Sequence, residues 1–269
     1  MNRIEKKFQE LKQQGTSAFM PYVCAGDPNP ELTPKLFLTL EEAGADIIEF
    51  GVPFSDPIAD GPTIQRASER ALKHRISLQQ ILEIVKNLRQ QTEIPIALMS
   101  YYNPIFRMGE ESFCKAAQAA GIDGVIIPDL PPEQADSLLK IALQYNLATI
   151  FLVAPTSPPE RMQLIASVST GFIYCVSVTG VTGARATLSD EVAPMIAELR
   201  KHTDKPICVG FGISTPEQAT QVAHVADGAI VASAIINVAE KNMDDEAKLL
   251  TEVKQFASDL AAGTKTVDF

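Results

Sequence analysis

Eight times along the chain, a short apolar run rich in β-branched residues is followed by a longer stretch with helical spacing. The runs are predicted as strands over 18–24, 46–51, 95–100, 124–128, 149–153, 172–177, 206–210 and 228–232. Their starts lie 28, 49, 29, 25, 23, 34 and 22 residues apart. That is the period of a strand–helix unit, lengthened after the second strand and again after the sixth. The runs are near-continuous rather than alternating, as in parallel strands buried on both faces. Helices are predicted over 30–43, 63–70, 78–91, 110–120, 132–145, 158–168, 190–201, 216–222 and 244–262. Ahead of the first strand, residues 2–14 place Ile4, Phe8 and Leu11 at helical spacing in a charged segment, an amphipathic helix. Ser157-Pro-Pro-Glu160 and Thr215-Pro-Glu-Gln218 each read as a capping residue, a proline in the first turn and an acidic or amide residue behind it. Eight such units in about 250 residues close most economically into a (β/α)8 barrel. A doubly wound open sheet is the alternative, but no switch point is visible. Nothing resembles a linker, so residues 1–269 read as one domain.

A barrel puts chemistry at the C-terminal ends of its strands and in the loops that follow. The second strand carries a carboxylate, Glu49, inside an apolar run, where an unpaired charge would cost several kcal/mol. The loop behind it, rich in proline, adds Asp56 and Asp60. A strand-end glutamate with an aspartate on the next loop suits proton transfer at two points of one substrate. A structural carboxylate held by a neighbouring donor is the plainer reading of Glu49.

Three further constellations fall on the same face. Gly210 and Gly212 after the seventh strand, with Ala232 and Ser233 after the eighth, would let backbone amides and a helix N-terminus approach an anion, as at the recurrent phosphate site of this fold. The alternative is two tight turns and a serine cap. Gly180, Thr182, Gly183 and Arg185 follow the sixth strand on a long interval that suits either a lid, with Gly183 offering an amide to phosphate, or an ordinary flexible connection. Within that strand, Tyr174 either fills the barrel or finds a partner for its hydroxyl. Ser100-Tyr-Tyr-Asn103-Pro104-Ile-Phe106, after the third strand, would line an aromatic pocket, meet another protein, or simply turn the chain. Asp129 is expected to line the site, with a helix-capping role as the alternative.

Composition removes other classes. The net charge is −10 with no basic cluster, which argues against nucleic acid and anionic membranes. No apolar run approaches the roughly 18 residues of a membrane span, and the N-terminus lacks the core of a signal peptide. Cys24, Cys114, Cys175 and Cys208 form no CxxC pair, and His74, His202 and His224 lie far apart, so no metal site and no disulfide is expected. A soluble, cytoplasmic protein follows.

The stretch Phe50-Gly-Val-Pro-Phe-Ser-Asp-Pro-Ile-Ala-Asp-Gly-Pro-Thr-Ile-Gln65 closely resembles the signature of the tryptophan synthase alpha chain family. The resemblance extends to Pro21-Tyr-Val-Cys-Ala-Gly-Asp-Pro28, Gly180-Val-Thr-Gly183 and Gly210-Phe-Gly-Ile-Ser214, and spans the chain. It implies a (β/α)8 barrel that cleaves indole-3-glycerol phosphate to indole and glyceraldehyde 3-phosphate with no cofactor of its own. By that resemblance Glu49 is the general acid/base and Asp60 accepts the indole N–H. Tyr22, Ile64 and Met99 would lie along the indole pocket with Tyr174 close to Glu49, and Thr182 and Gly183 would close over the substrate. Gly212 and Ser233 would hold the phosphate through backbone amides, beside Gly210 and Ala232. The implied partner is a beta chain carrying pyridoxal phosphate, in an α2β2 tetramer with an internal tunnel, facing Asp56, Pro57, Asn103 and Pro104. Tyr22 stands where the family often has Phe, and Ala232 where Gly is expected. A phosphosugar isomerase on the same barrel, and a non-catalytic barrel that scaffolds a partner, are the rival readings.

Overall fold

A computed structural model describes residues 1–176, 188–210 and 212–265. Nine parallel strands run β1 Ala18–Cys24, β2 Ile48–Gly51, β3 Ile96–Met99, β4 Gly124–Ile126, β5 Ala148–Ile150, β6 Leu152–Val153, β7 Ile173–Val176, β8 Ile207–Gly210 and β9 Gly228–Val231. Their order is β5-β4-β3-β2-β1-β9-β8-β7-β6. The two ends of that order, β5 and β6, are one stretch of chain interrupted at Phe151, so the nine segments make the eight staves of a nearly closed barrel. The predicted fold is therefore the observed one, except that the fifth strand is broken where a single run over 149–153 is expected.

Alternation along the strands sorts side chains into two shells. In β2, Ile48 and Phe50 face outward into the large cluster beneath the helices. Ile47 points inward, among Ala18, Met20, Ala97, Ile126, Ile150, Phe172, Cys208 and Ile230. Glu49, two residues on, shares that inward parity. Its register partners are Tyr22 on β1 and Ala97 on β3. The helix Arg3–Gln14 closes the far end, with Ile4, Phe8 and Leu11 buried against the inner layer and Phe8 meeting Phe172 at 5.9 Å between ring centroids. Its Asn2 cap accepts from Glu5 N–H at 3.1 Å and donates to the Asp123 carbonyl at 3.0 Å. The amphipathic helix read from sequence is thus a plug.

Local expectations hold at some ends and fail at others. Thr215 forms the expected capping box with Gln218. Ser157 does not cap: Pro158 takes that place, and the Ser157 hydroxyl accepts from Ala154 N–H at 3.1 Å instead. Two prolines in succession force extended backbone at the residue ahead of each, which shifts the helix start to Pro159. The segment over 132–145 divides into a short 3-10 turn, Pro132–Gln134, and a helix Asp136–Gln144. The stretch after β3, left open among three readings, is a helix, Tyr102–Met108. Asp129 accepts from its Tyr102 N–H at 2.8 Å, so it caps that helix's first turn and does not face the cavity.

Candidate active site

Strand parity delivers Glu49 to the barrel interior, where the side chain is 1 % exposed and neither carboxylate oxygen has a hydrogen-bond partner among the described residues. Burial is the main cause that pushes its pKa to about 8, and the nearby Asp60 charge adds to the rise. The Tyr174 hydroxyl opposes it by favouring the charged form, without reaching hydrogen-bond geometry. Glu49 is consequently a protonated carboxyl at neutral pH, and the neighbouring donor that a structural reading calls for is not found within hydrogen-bond geometry among the described residues.

Asp60 sits at the end of the proline-rich loop, just before Gly61 starts the helix Pro62–Lys73. Burial pushes its carboxyl to about 6, and Tyr101 holds it down. Sequence reasoning places Tyr101 only among the aromatic residues at the mouth of the third strand, without a partner. Its ring stacks on Phe54 at 4.9 Å and its hydroxyl accepts from Ala59 N–H at 2.9 Å, which leaves the phenolic proton free for Asp60. The signal was an aromatic at a strand mouth; what it would touch depends on how the loop of β2 folds back over β3. Gln65 Nε2 closes the same loop by donating to the Asp60 carbonyl at 2.9 Å.

Glu49 and Asp60 open on one cavity of about 110 Å³. Its wall also includes Tyr22, Ile64, Met99, Tyr174 and Ala232, together with Ile126, Pro128 and Leu152 from the opposite staves. Seven of the residues singled out from sequence are thereby brought together. Tyr22 and Tyr174 are matched devices. Each leans over a glycine on the next strand: a Cβ on Gly51 would fall 2.0 Å from the Tyr22 hydroxyl, and one on Gly210 would fall 2.6 Å from that of Tyr174. Tyr22 thus uses space that only glycine leaves free.

Gly212, at φ +50°, is exposed with nothing near its Cβ position, and Ser233 is exposed at the first turn of the helix Ser233–Glu240. Both stand at the mouth rather than in the cavity wall. Ala232 adopts φ −111°, ψ −74°, a conformation that asks for no glycine. Thr182 and Gly183 lie outside the described residues, as does Phe211. Asp56, Pro57, Asn103 and Pro104 lie on neighbouring segments of the same rim, where Ile58 and Phe106 are 86 % and 66 % exposed. Among the described residues no three His, Cys, Asp or Glu groups could hold a metal ion, and no helix is long and apolar enough to cross a membrane. All four cysteines are buried free thiols.

Such a cavity brings together two carboxyl groups of different acidity, Glu49 near 8 and Asp60 near 6, within largely apolar walls. Residues 8–265 match the sequence profile of the family described as "Tryptophan synthase alpha chain". The tryptophan synthase alpha chain of Geotalea uraniireducens is 50 % identical over 267 residues, covering 99 % of both chains, and that of Picosynechococcus is 48 % identical over 261, covering 97 % and 98 %. Tryptophan synthase subunit alpha from Legionella pneumophila superposes with a TM-score of 0.92 at 39 % identity, covering 99 % of this chain and 100 % of that one. A chain of Mycobacterium tuberculosis tryptophan synthase gives 0.91 at 34 %, with 99 % of each covered. With near-complete coverage in sequence and in structure, this chain belongs to the tryptophan synthase alpha chain family.

Proposed function

We propose that this chain cleaves indole-3-glycerol phosphate by a retro-aldol reaction, releasing indole and glyceraldehyde 3-phosphate in tryptophan biosynthesis. The observation that carries this reading is the buried, unpaired Glu49, protonated at neutral pH, in one cavity with Asp60. Breaking the bond between the ring and the glycerol chain needs a proton added at indole C3 and one removed from the adjacent hydroxyl. Glu49 donates the first as a neutral acid and takes the second as the carboxylate so formed. Asp60, the more acidic of the two, accepts the ring N–H and stabilises the positive charge that grows on nitrogen as C3 is protonated. Tyr22, Ile64 and Met99 bound the ring, and Tyr174 orients the Glu49 carboxyl. Backbone amides at Gly210, Gly212, Ala232 and Ser233 receive the phosphate, supported by the exposed start of the helix Ser233–Glu240. Thr182 and Gly183 cover the substrate, a role that rests on the family resemblance. The chain supplies this chemistry without a cofactor, from one barrel domain spanning residues 1–269.

The same reading assigns a partner, a beta chain that holds pyridoxal phosphate and consumes indole, in an α2β2 tetramer. Its support is the exposed apolar pair Ile58 and Phe106 beside Asp56–Pro57 and Asn103–Pro104. Four unpaired cysteines suit a reducing, cytoplasmic setting. The test is indole release from indole-3-glycerol phosphate, with and without a beta chain, by wild type and Glu49→Gln. The variant is expected to lose on the order of 10²–10⁴-fold or more in kcat while remaining folded. Turnover near wild type would remove Glu49 from the mechanism.

A further inference from the structure

On the outer side of the barrel mouth, three segments that are remote in sequence meet in a network of charges. Arg70, on the helix Pro62–Lys73, donates from Nε and Nη2 to both oxygens of Asp27, at 2.7 and 3.0 Å. Its remaining arm, Nη1, donates to Glu240 Oε1 at 2.7 Å. Arg66, one turn earlier on the same helix, donates to both oxygens of Glu240, at 2.9 and 2.8 Å. Asp27 lies on the loop after β1 and is 6 % exposed. Glu240 is the last residue of the helix Ser233–Glu240. Beside this charged seam runs an apolar one: Ala67, Ala71 and Ile236 are buried in one cluster with Tyr22 and Cys24. Small alanines on one helix let the other approach closely, and the guanidinium fork fixes direction as well as distance.

Both helices start at the mouth. One begins two residues after Asp60 and the other at Ser233. Clasping these two helices to each other and to the loop after β1 therefore sets the position of the ring-binding carboxylate relative to the phosphate-binding turn. We propose that Arg70 and Glu240 are positioning residues for the cleavage reaction: they hold the Asp60 helix and the Ser233 helix as one body, so that a substrate gripped at its phosphate presents its ring nitrogen to Asp60. This inference rests on the function proposed above, because it takes the phosphate to lie at Ser233. Misplacement by a fraction of an ångström at a reacting end lowers turnover more than it lowers binding.

The experiment uses Arg70→Lys, which keeps charge and loses the fork, and Glu240→Gln, which keeps shape and leaves the Arg70–Asp27 pair intact. Steady-state kinetics on indole-3-glycerol phosphate are measured on protein shown to be folded by circular dichroism and urea unfolding. Each variant is expected to lose about tenfold in kcat with KM changed less than about threefold. Arg70→Lys carries the greater risk to folding, since it weakens a bond to a buried aspartate; Glu240→Gln then decides alone. Folded variants with wild-type kcat, or a loss that appears only in KM, overturn the positioning role and leave the proposed activity standing. Wild-type protein that releases no indole overturns both.

Discussion

Protonating Glu49 relieves the barrel interior of a buried charge, so the residue proposed as acid and base works against the fold as pH rises. Its carboxyl titrates near 8 folded and near the ordinary 4.5 unfolded. Below the unfolded value both states hold the proton and nothing is lost. Between the two values only the folded state holds it, and stability falls as pH rises through this window, on the order of a few kcal/mol in all. Glu49→Gln is therefore expected to match wild type in urea unfolding near pH 4 and to exceed it above pH 8. Gly51 makes a second prediction at this scale. Gly51→Ala drives a methyl group into the Tyr22 ring and hydroxyl and is expected to cost about 1–3 kcal/mol in urea unfolding. Tyr22→Phe leaves the clash in place, since the ring Cζ also lies 2.4 Å from the new carbon; a smaller residue at position 22 restores stability. Glu49 was legible in the sequence because a carboxylate in an apolar run contradicts its surroundings. For Asp129 the sequence leaves lining and capping both open, and Tyr101 stands only among aromatics at a strand mouth, because the partner of each lies on another loop and only the folded chain decides which backbone N–H falls within reach.

At the scale of the element, the period of strands and helices was readable because burial on both faces leaves a continuous apolar run with few rival explanations. What escaped was local. An Asn-Pro pair suggests a turn, yet Tyr102–Met108 is a helix in which Pro104 occupies the first turns, where no intrahelical N–H is needed. The break at Phe151 has no counterpart in composition: the residue is apolar like its neighbours and joins the outer cluster. The N-terminal helix carries its own prediction. Phe8→Ala empties a site against Phe172 and is expected to destabilise by about 3–5 kcal/mol in urea unfolding. Because that site lies at the opposite end of the barrel from Glu49, KM for the cleavage reaction should not change.

For the whole molecule, the two ends of the barrel differ in kind. The rim above the Glu49 and Asp60 cavity also exposes apolar side chains, and Phe106→Asp is expected to weaken association with a beta chain about tenfold or more, read by sedimentation or calorimetry, while kcat of the isolated chain stays put. The other end is sealed by Ile4, Phe8 and Leu11. The barrel is in this respect a cup rather than a pipe. By the proposed function, an uncharged ring set free beside Glu49 meets that floor and leaves past the lip by which it came, so whatever rests on that lip decides where it goes next.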